Sequence, residues 1–333
     1  MGIIQVKNKI GIPKYKQIVI SIEKAIEDGK LKKGDRLPSI NGICKEFGLS
    51  RDTVLTSFNE LKNRDIVYSV PGKGYYINST ITNYIKKIFL LFDELNAFKE
   101  KLYNSLIENL GDNIKVDIFF HHFNEVVFEK NIKDNIGDYS AYIVMPANLK
   151  NTKPILDLIP ENQLYILDQS NEQLKDFSAI YQNFSKDIYL ALKEATTLLE
   201  KYNKITLVHS ISKQPIGMRE GFDAFCEEIK IKYQTIERFE LDYKISKKEV
   251  YVVTDDADMI RVIKKAKQER LIIGEDIGII SYNDTDLKEV VCNGITTIST
   301  DFEEMGTILA DMVLHNKTVQ IENRNSLIVR NSL

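Results

Sequence analysis

Two small groups of residues near the amino terminus have the types and spacing to grip a polyanion. Arg51 stands between Ser50 and Asp52, with Thr53 next, and some twenty residues later Lys73 stands between Gly72 and Gly74. A guanidinium is a planar fork of N–H donors that can meet guanine O6 and N7, or a phosphate, in pairs. The hydroxyls of Ser50 and Thr53 suit a phosphate backbone, and a lysine between glycines can approach phosphate closely because nothing bulky surrounds it. A second group is scattered through the rest of the chain: Asp93, Asp168, Tyr181, Asp255, Asp256, Asn283 and Asp284 each follow a short apolar run. Arg219 opens a helical stretch, and Phe98 and Tyr181 supply aromatic faces. Carboxylates, amides and a guanidinium with aromatic cover suit a neutral polyol.

The first group needs a helix to aim it. From Pro13 the chain repeats Ile18, Ile22 and Ile26 at helical spacing and stops at Gly29. Ser39 is a good N-cap for a short helix "INGICKEF", which Gly48 can end in a left-handed turn. Ser50 caps the next, "RDTVLTSFNELKNR", where Val54, Phe58 and Leu61 form the buried stripe and Arg51, Asp52, Thr53 and Ser57 lie on other faces. Two helices joined by a turn at Gly48 and Leu49 have the layout of a helix-turn-helix, whose second helix presents its N-terminal residues to the major groove. "DIVYSV" and "GYYINS" then alternate as strands around Pro71, Gly72, Lys73 and Gly74, a hairpin wing with a cationic tip. One duplex can touch both the Arg51 end and the wing.

Charge supports the division. Residues 1–78 carry 14 Lys and Arg against 8 Asp and Glu, and the remainder 31 against 40, so a net −3 conceals a basic end on an acidic body. The motifs "KKGDRLPS", "FGLSRDTV", "NELKNRDIV" and "GKG" resemble the winged helix-turn-helix of the GntR family of bacterial transcription regulators, over about residues 10–78. The resemblance carries the family's DNA-contacting positions onto Ser50, Arg51, Thr53, Gly72, Lys73 and Gly74. Ser39, Asn41 and Asp52 complete the candidate DNA-facing set, and many members have Arg where this chain has Asn41 and Leu55. A protein-interaction module of three helices and a hairpin is the plainer alternative.

Residues 79–84 read as a linker. Beyond them, "KKIFLLF", "KVDIFF", "AYIVM" and "LYIL" alternate with helical stretches, and the alternation restarts at "KITLVH", "EVYVVT" and "IGIISY". The expected fold is α/β: two lobes of doubly wound parallel sheet, about 85–181 with 299–322 and 182–298 with 323–333, and a cleft where the strand ends of the two lobes face each other. "GMREGFDAF", "ERLIIGEDIGIISYNDTDL", "GITTISTDFEEMGTILADMVL" and "LIVRNS" resemble the effector domain of the LacI family, built like a periplasmic sugar-binding protein, over about residues 85–333. That resemblance places effector contacts at Asp168, Tyr181, Arg219, Asp255 and Asn283, with the loop from Asp93 to Phe98 facing the cleft. The pairing resembles combined regulators of the arabinose-responsive type, which implies a pentose or deoxyhexose as effector.

Other classes fare worse. His121, His122, His209 and His315 show no metal-ligand spacing, no glycine-rich phosphate loop follows a strand, and the adjacent Asp255 and Asp256 lack a partner group for acid–base work. Cys44, Cys226 and Cys292 lack any CxxC spacing and are read as reduced. No apolar run approaches the roughly 18 residues of a membrane helix. The expectation is a cytoplasmic, homodimeric, non-enzymatic regulator with no cofactor or metal, its partners operator DNA and a sugar. A DNA-bound dimeric scaffold that recruits a protein instead of a small molecule is the second reading.

Overall fold

The computed structural model describes residues 2–7, 11–79, 86–111, 114–211 and 213–333. Of the segment read as a linker, 80–84 lies outside the described residues.

The amino-terminal head is three helices and a hairpin: α1 (Lys14–Glu27), α2 (Ile40–Phe47), α3 (Arg51–Asn63), β1 (Val67–Val70) and β2 (Gly74–Ile77). The apolar stripes meet as their spacing requires, with Ile18, Ile22, Ile43, Val54, Phe58 and Leu61 all fully buried together, and Ser57, expected on another face, is buried too because its hydroxyl donates to the Val54 carbonyl at 2.6 Å. Each such side chain contributes about 1.5–3 kcal/mol, which is what a head this small depends on. The segment ahead of α1 joins this core through Ile4, and Gln5 exchanges hydrogen bonds with Ser21. Ser39 and Ser50 both accept backbone N–H bonds as N-caps, and Gly48 ends α2 at φ 65°.

The body contains two six-stranded sheets. The first lobe holds β3 (Lys86–Phe92), α4 (Ala97–Leu110), β4 (Ile114–Phe120), α5 (Glu125–Asn135), β5 (Ala141–Val144), α6 (Lys153–Leu156), β6 (Leu164–Asp168) and β7 (Ser178–Tyr181). The second holds α7 (Phe184–Glu194), α8 (Thr196–Leu199), β8 (Lys204–Val208), α9 (Ile216–Ile229), β9 (Lys232–Ile236), β10 (Glu249–Val253), α10 (Asp256–Gln268), β11 (Ile277–Tyr282), α11 (Asp286–Val290) and β12 (Thr296–Thr300). The chain then returns to the first lobe with α12 (Phe302–Leu314) and β13 (Gln320–Glu322), and ends in the second with β14 (Asn325–Ile328). Strand orders are β13-β7-β6-β5-β3-β4 and β14-β12-β11-β10-β8-β9, parallel except where β14 runs against β12. Both faces of each sheet are covered by apolar clusters, which is why its central strands read as unbroken apolar runs.

Two details depart from the sequence pattern. The stretch 186–202, which reads as one helix, breaks at Ala195 into α7 and α8. Pairing with β14 carries β12 through Thr300, so the return to the first lobe falls at Asp301 and not at 299.

The lobes are joined by three crossings, after Tyr181, Thr300 and Glu322. Hydrogen bonds tie the crossings together: Asn323 N–H donates to the Tyr181 carbonyl at 2.8 Å, the Asn323 amide to the Asp301 carbonyl at 2.8 Å, and the Thr300 hydroxyl to Gln182 at 2.8 Å. Gln182, Thr300 and Asn323 are all buried, so the hinge is a compact polar knot.

Candidate DNA-reading and ligand-binding sites

On the head, Arg51 and Asp52 are exposed at the first turn of α3, and Thr53 is half-buried with its hydroxyl 2.8 Å from that of Ser50. Ser39 and Asn41 are exposed at the start of α2. The hairpin tip takes the backbone that only glycine adopts cheaply, Gly72 at φ 73° and Gly74 at φ 111°, leaving Lys73 exposed between them. The structure thus presents a helix end and a wing as two exposed features of one small domain. It adds Arg36, exposed and close enough that a Cβ at Gly74 would lie 3.6 Å from its Nε. Arg36 sits within the motif "KKGDRLPS", so its type was visible but its neighbour was not.

Between the lobes lies a cavity of about 200 Å³ lined by Asp93, Phe98, Asp168, Asp255 and Asn283 from the expected set, together with Lys99, Gln182 and Tyr282, among others. Strand ends bring them there. Asp93 follows β3, Asp168 closes β6, Asp255 follows β10 and caps α10, and Asn283 follows β11. Asp168 (φ 73°) and Asn283 (φ 61°) occupy the left-handed region, one from each lobe. Residues held so are found where surrounding structure fixes them for a purpose, since each costs of order 1–3 kcal/mol.

Polar contacts preset these groups. The Lys99 ammonium donates to Asp93 Oδ1, both side chains being buried, and the Gln182 amide donates to Asp168 Oδ1. Burial pushes the Asp168 carboxyl up to about 6, against the opposing pull of Lys99. Lys288, buried beneath the site, donates to the Tyr282 and Asn283 carbonyls at 2.7 and 2.6 Å and pairs with Asp256 at 2.8 Å. The Tyr282 hydroxyl and Asn283 Oδ1 are buried with no hydrogen-bond partner among the described residues, and both belong to residues lining the cavity. Phe98 lines the cavity and packs against Phe302 in a tilted arrangement with ring centroids 4.8 Å apart.

Three sequence candidates lie elsewhere. Tyr181 lines an adjoining cavity of about 600 Å³ instead. Asp284 is turned away and gripped by Arg330 at 2.7 and 2.9 Å. Arg219 lines neither cavity and lies beside Asp223, 3.5 Å away, on the outer side of α9. The reason is packing: Met218, Gly221, Phe222 and Phe225 face inward, which turns position 219 out. That apolar spacing was the available signal. Lys99 and Gln182 had none, because a lysine six residues after an aspartate is usually an exposed cation.

A winged-helix head joined to a two-lobed body defines the architecture, and the comparisons with known proteins fall on the same two parts. The family described as bacterial regulatory proteins, gntR family, matches residues 14–77, and the periplasmic binding protein-like domain matches residues 200–333. The chain therefore carries a gntR-type head and a periplasmic-binding-protein-like body. Over nearly its whole length it is similar to the arabinose metabolism transcriptional repressor of Geobacillus stearothermophilus, 22% identical across 96% of this chain and 98% of that one. It is also similar to the mannosyl-D-glycerate transport/metabolism system repressor MngR of Escherichia coli, 39% identical over 27% of this chain, a match that spans only 35% of that relative. In fold, the chain matches the trehalose repressor from Escherichia coli with a TM-score of 0.63 and 12% identity, over 73% of this chain and 99% of that one. No described helix is long and apolar enough to cross a membrane.

Proposed function

We propose that the protein is a homodimeric transcription regulator that binds operator DNA through its head and is controlled by an uncharged sugar, of pentose or deoxyhexose class, held between its lobes. The carrying observation is the cavity at the strand ends of both lobes, where the buried Tyr282 hydroxyl and Asn283 Oδ1 lack protein partners beside preset carboxylates. Unpaired buried polar groups are costly, and a polyol hydroxyl is what would satisfy them.

The exposed end of α3, the wing tip and the lining of the cavity support the following residue roles. Arg51 reads base edges from the end of α3, Ser50 and Thr53 hold phosphate, and Lys73 reaches the backbone or minor groove from the wing. Asp168 and Asp255 accept sugar hydroxyls, while Asn283 takes one as acceptor and another as donor. Sugar bridging the two lobes favours one lobe arrangement, and its differential affinity becomes a coupling of about 1–3 kcal/mol on DNA affinity. The relatives named above are repressors, which supports a binding role without catalysis.

Selection of bound duplexes from a random pool tests the reading. A two-fold related pair of half-sites should emerge, and a sugar should change affinity for it by roughly 5- to 150-fold. A pool that yields no preferred sequence would remove the DNA-reading role, and an enriched site indifferent to every sugar would remove the sensor.

A further inference from the structure

The inner cavity does not end at the hinge. Gln169, Gln182, Phe184, Gln214 and Pro215 line both it and the adjoining 600 Å³ cavity, so the two are compartments of one groove with a shared partition. The compartments differ in chemistry. The inner one is small and carries Asp93, Asp168, Asp255 and Lys99, while the outer one is lined largely by amides and hydroxyls such as Asn148, Ser170, Asn171 and Asn183. Tyr181 and Ile216 add apolar surface to the outer one. Its rim is bridged between the lobes, where the Asn148 amide donates to the Gln214 carbonyl at 2.8 Å. The Gln214 side chain makes no hydrogen bond among the described residues, and it belongs to the wall both compartments share.

A site for one sugar ring needs only the inner space, about 200 Å³, which is below the roughly 300 Å³ at which ordinary ligand pockets begin. We propose that the natural effector is a two-ring glycoside, a disaccharide or a sugar bearing a comparable neutral substituent, whose inner ring sits among the carboxylates and whose second ring fills the amide-lined outer compartment. This rests on the sugar-sensing reading above and enlarges its effector from a single pentose or deoxyhexose ring to two rings joined by a glycosidic bond. Amides present a donor and an acceptor together, matching vicinal hydroxyls, and the exposed Ile216 side chain offers the second ring an apolar face. Anionic substituents are disfavoured, because the inner compartment is dominated by carboxylates and the outer one has Glu220 at its edge.

Calorimetric titration of the full chain decides it, with xylobiose, arabinobiose, maltose and lactose measured against their component monosaccharides. The best disaccharide should bind at least about ten-fold more tightly than the best monosaccharide. Ile216→Trp, which fills only the outer compartment, should abolish that advantage and leave monosaccharide binding within about two-fold. Ser170→Trp, from the opposite lobe, should do the same and covers the case in which the first variant fails to fold. A monosaccharide that binds as tightly as any disaccharide, or a disaccharide indifferent to both tryptophans, overturns the two-ring proposal while leaving the sensor intact. If no sugar of either size binds, the sensor reading itself falls and takes the proposal with it.

Discussion

At the scale of the residue, position within an element decides what each charged group can do. Arg51 is exposed in the first turn of a capped helix, where its fork is presented to solvent. Arg51→Ala should weaken operator binding by about 1–3 kcal/mol and relax preference at one base pair, read by anisotropy titration, with sugar binding unchanged. Equal loss on all sequences would make it a phosphate contact. Asp168 shows the opposite situation, a carboxyl raised by burial to about 6 from an ordinary value near 3.8. The folded protein therefore binds this proton more tightly than the unfolded chain, so the group's contribution is most favourable below about pH 4 and declines as pH rises through about 6. Asp168→Asn should stabilise the body at pH 8 by up to about 3 kcal/mol and make little difference at pH 4. Denaturant titration at the two pH values checks this, and a gain independent of pH would refute it. Asp93, Asp168, Asp255 and Asn283 could be placed together from sequence because a parallel strand delivers the residue after it to the carboxyl edge, whereas Tyr181 and Asp284 sit at or just past strand ends but face other surroundings. Arg219 misled because only its place at a helix start was weighed, and the face set by Met218, Phe222 and Phe225 was not. Lys99 was hidden since nothing local announces that a lysine will be buried against Asp93.

At the scale of the element, caps and close approaches carry the fold. Ser39, Gly48 and Ser50 define the helix-turn-helix so locally that the head could be read almost residue by residue. The edge strands β9, β13 and β14 could not be, because KYQTI, QIE and NSLI are mostly polar, hold little apolar pattern and are specified by their neighbours in the sheet. The same holds for the break at Ala195. Two glycines show where helices touch backbone to backbone. A Cβ at Gly221 on α9 would lie 2.0 Å from the Ser185 carbonyl oxygen on α7, and one at Gly306 on α12 would lie 2.6 Å from the Leu102 oxygen on α4. Neither neighbour is the end of a flexible side chain, so the helices themselves must separate. Gly221→Ala is expected to destabilise the second lobe by about 1–3 kcal/mol despite alanine's better helix propensity, with the thermal midpoint as readout. An unchanged or higher midpoint would show that α7 and α9 are not packed this closely.

At the scale of the whole molecule, the question is how a change between lobes reaches the head. Ile12, ahead of α1, packs against the apolar cluster under the first lobe, and Lys16 pairs with Asp138, so the head rests on that lobe directly. The second lobe connects to it through the hinge knot and through few side-chain bridges, of which Lys101 on α4 to Asp286 on α11, at 2.7 Å, is one. Rotation of the second lobe relative to the first therefore requires that bridge to part, while the head moves with the first lobe. The magnitude is limited: Asp286 is 92% exposed and Lys101 38%, and exposed pairs are worth about 0.2–1 kcal/mol. Asp286→Asn should thus lower sugar affinity by no more than about five-fold, and the loss should shrink further in high salt. Small-angle scattering without sugar should show a slightly larger radius of gyration than the parent protein, and saturation with sugar should bring the two together. A loss of affinity far above that limit would mean that Asp286 touches the ligand itself, since an exposed ion pair cannot supply more.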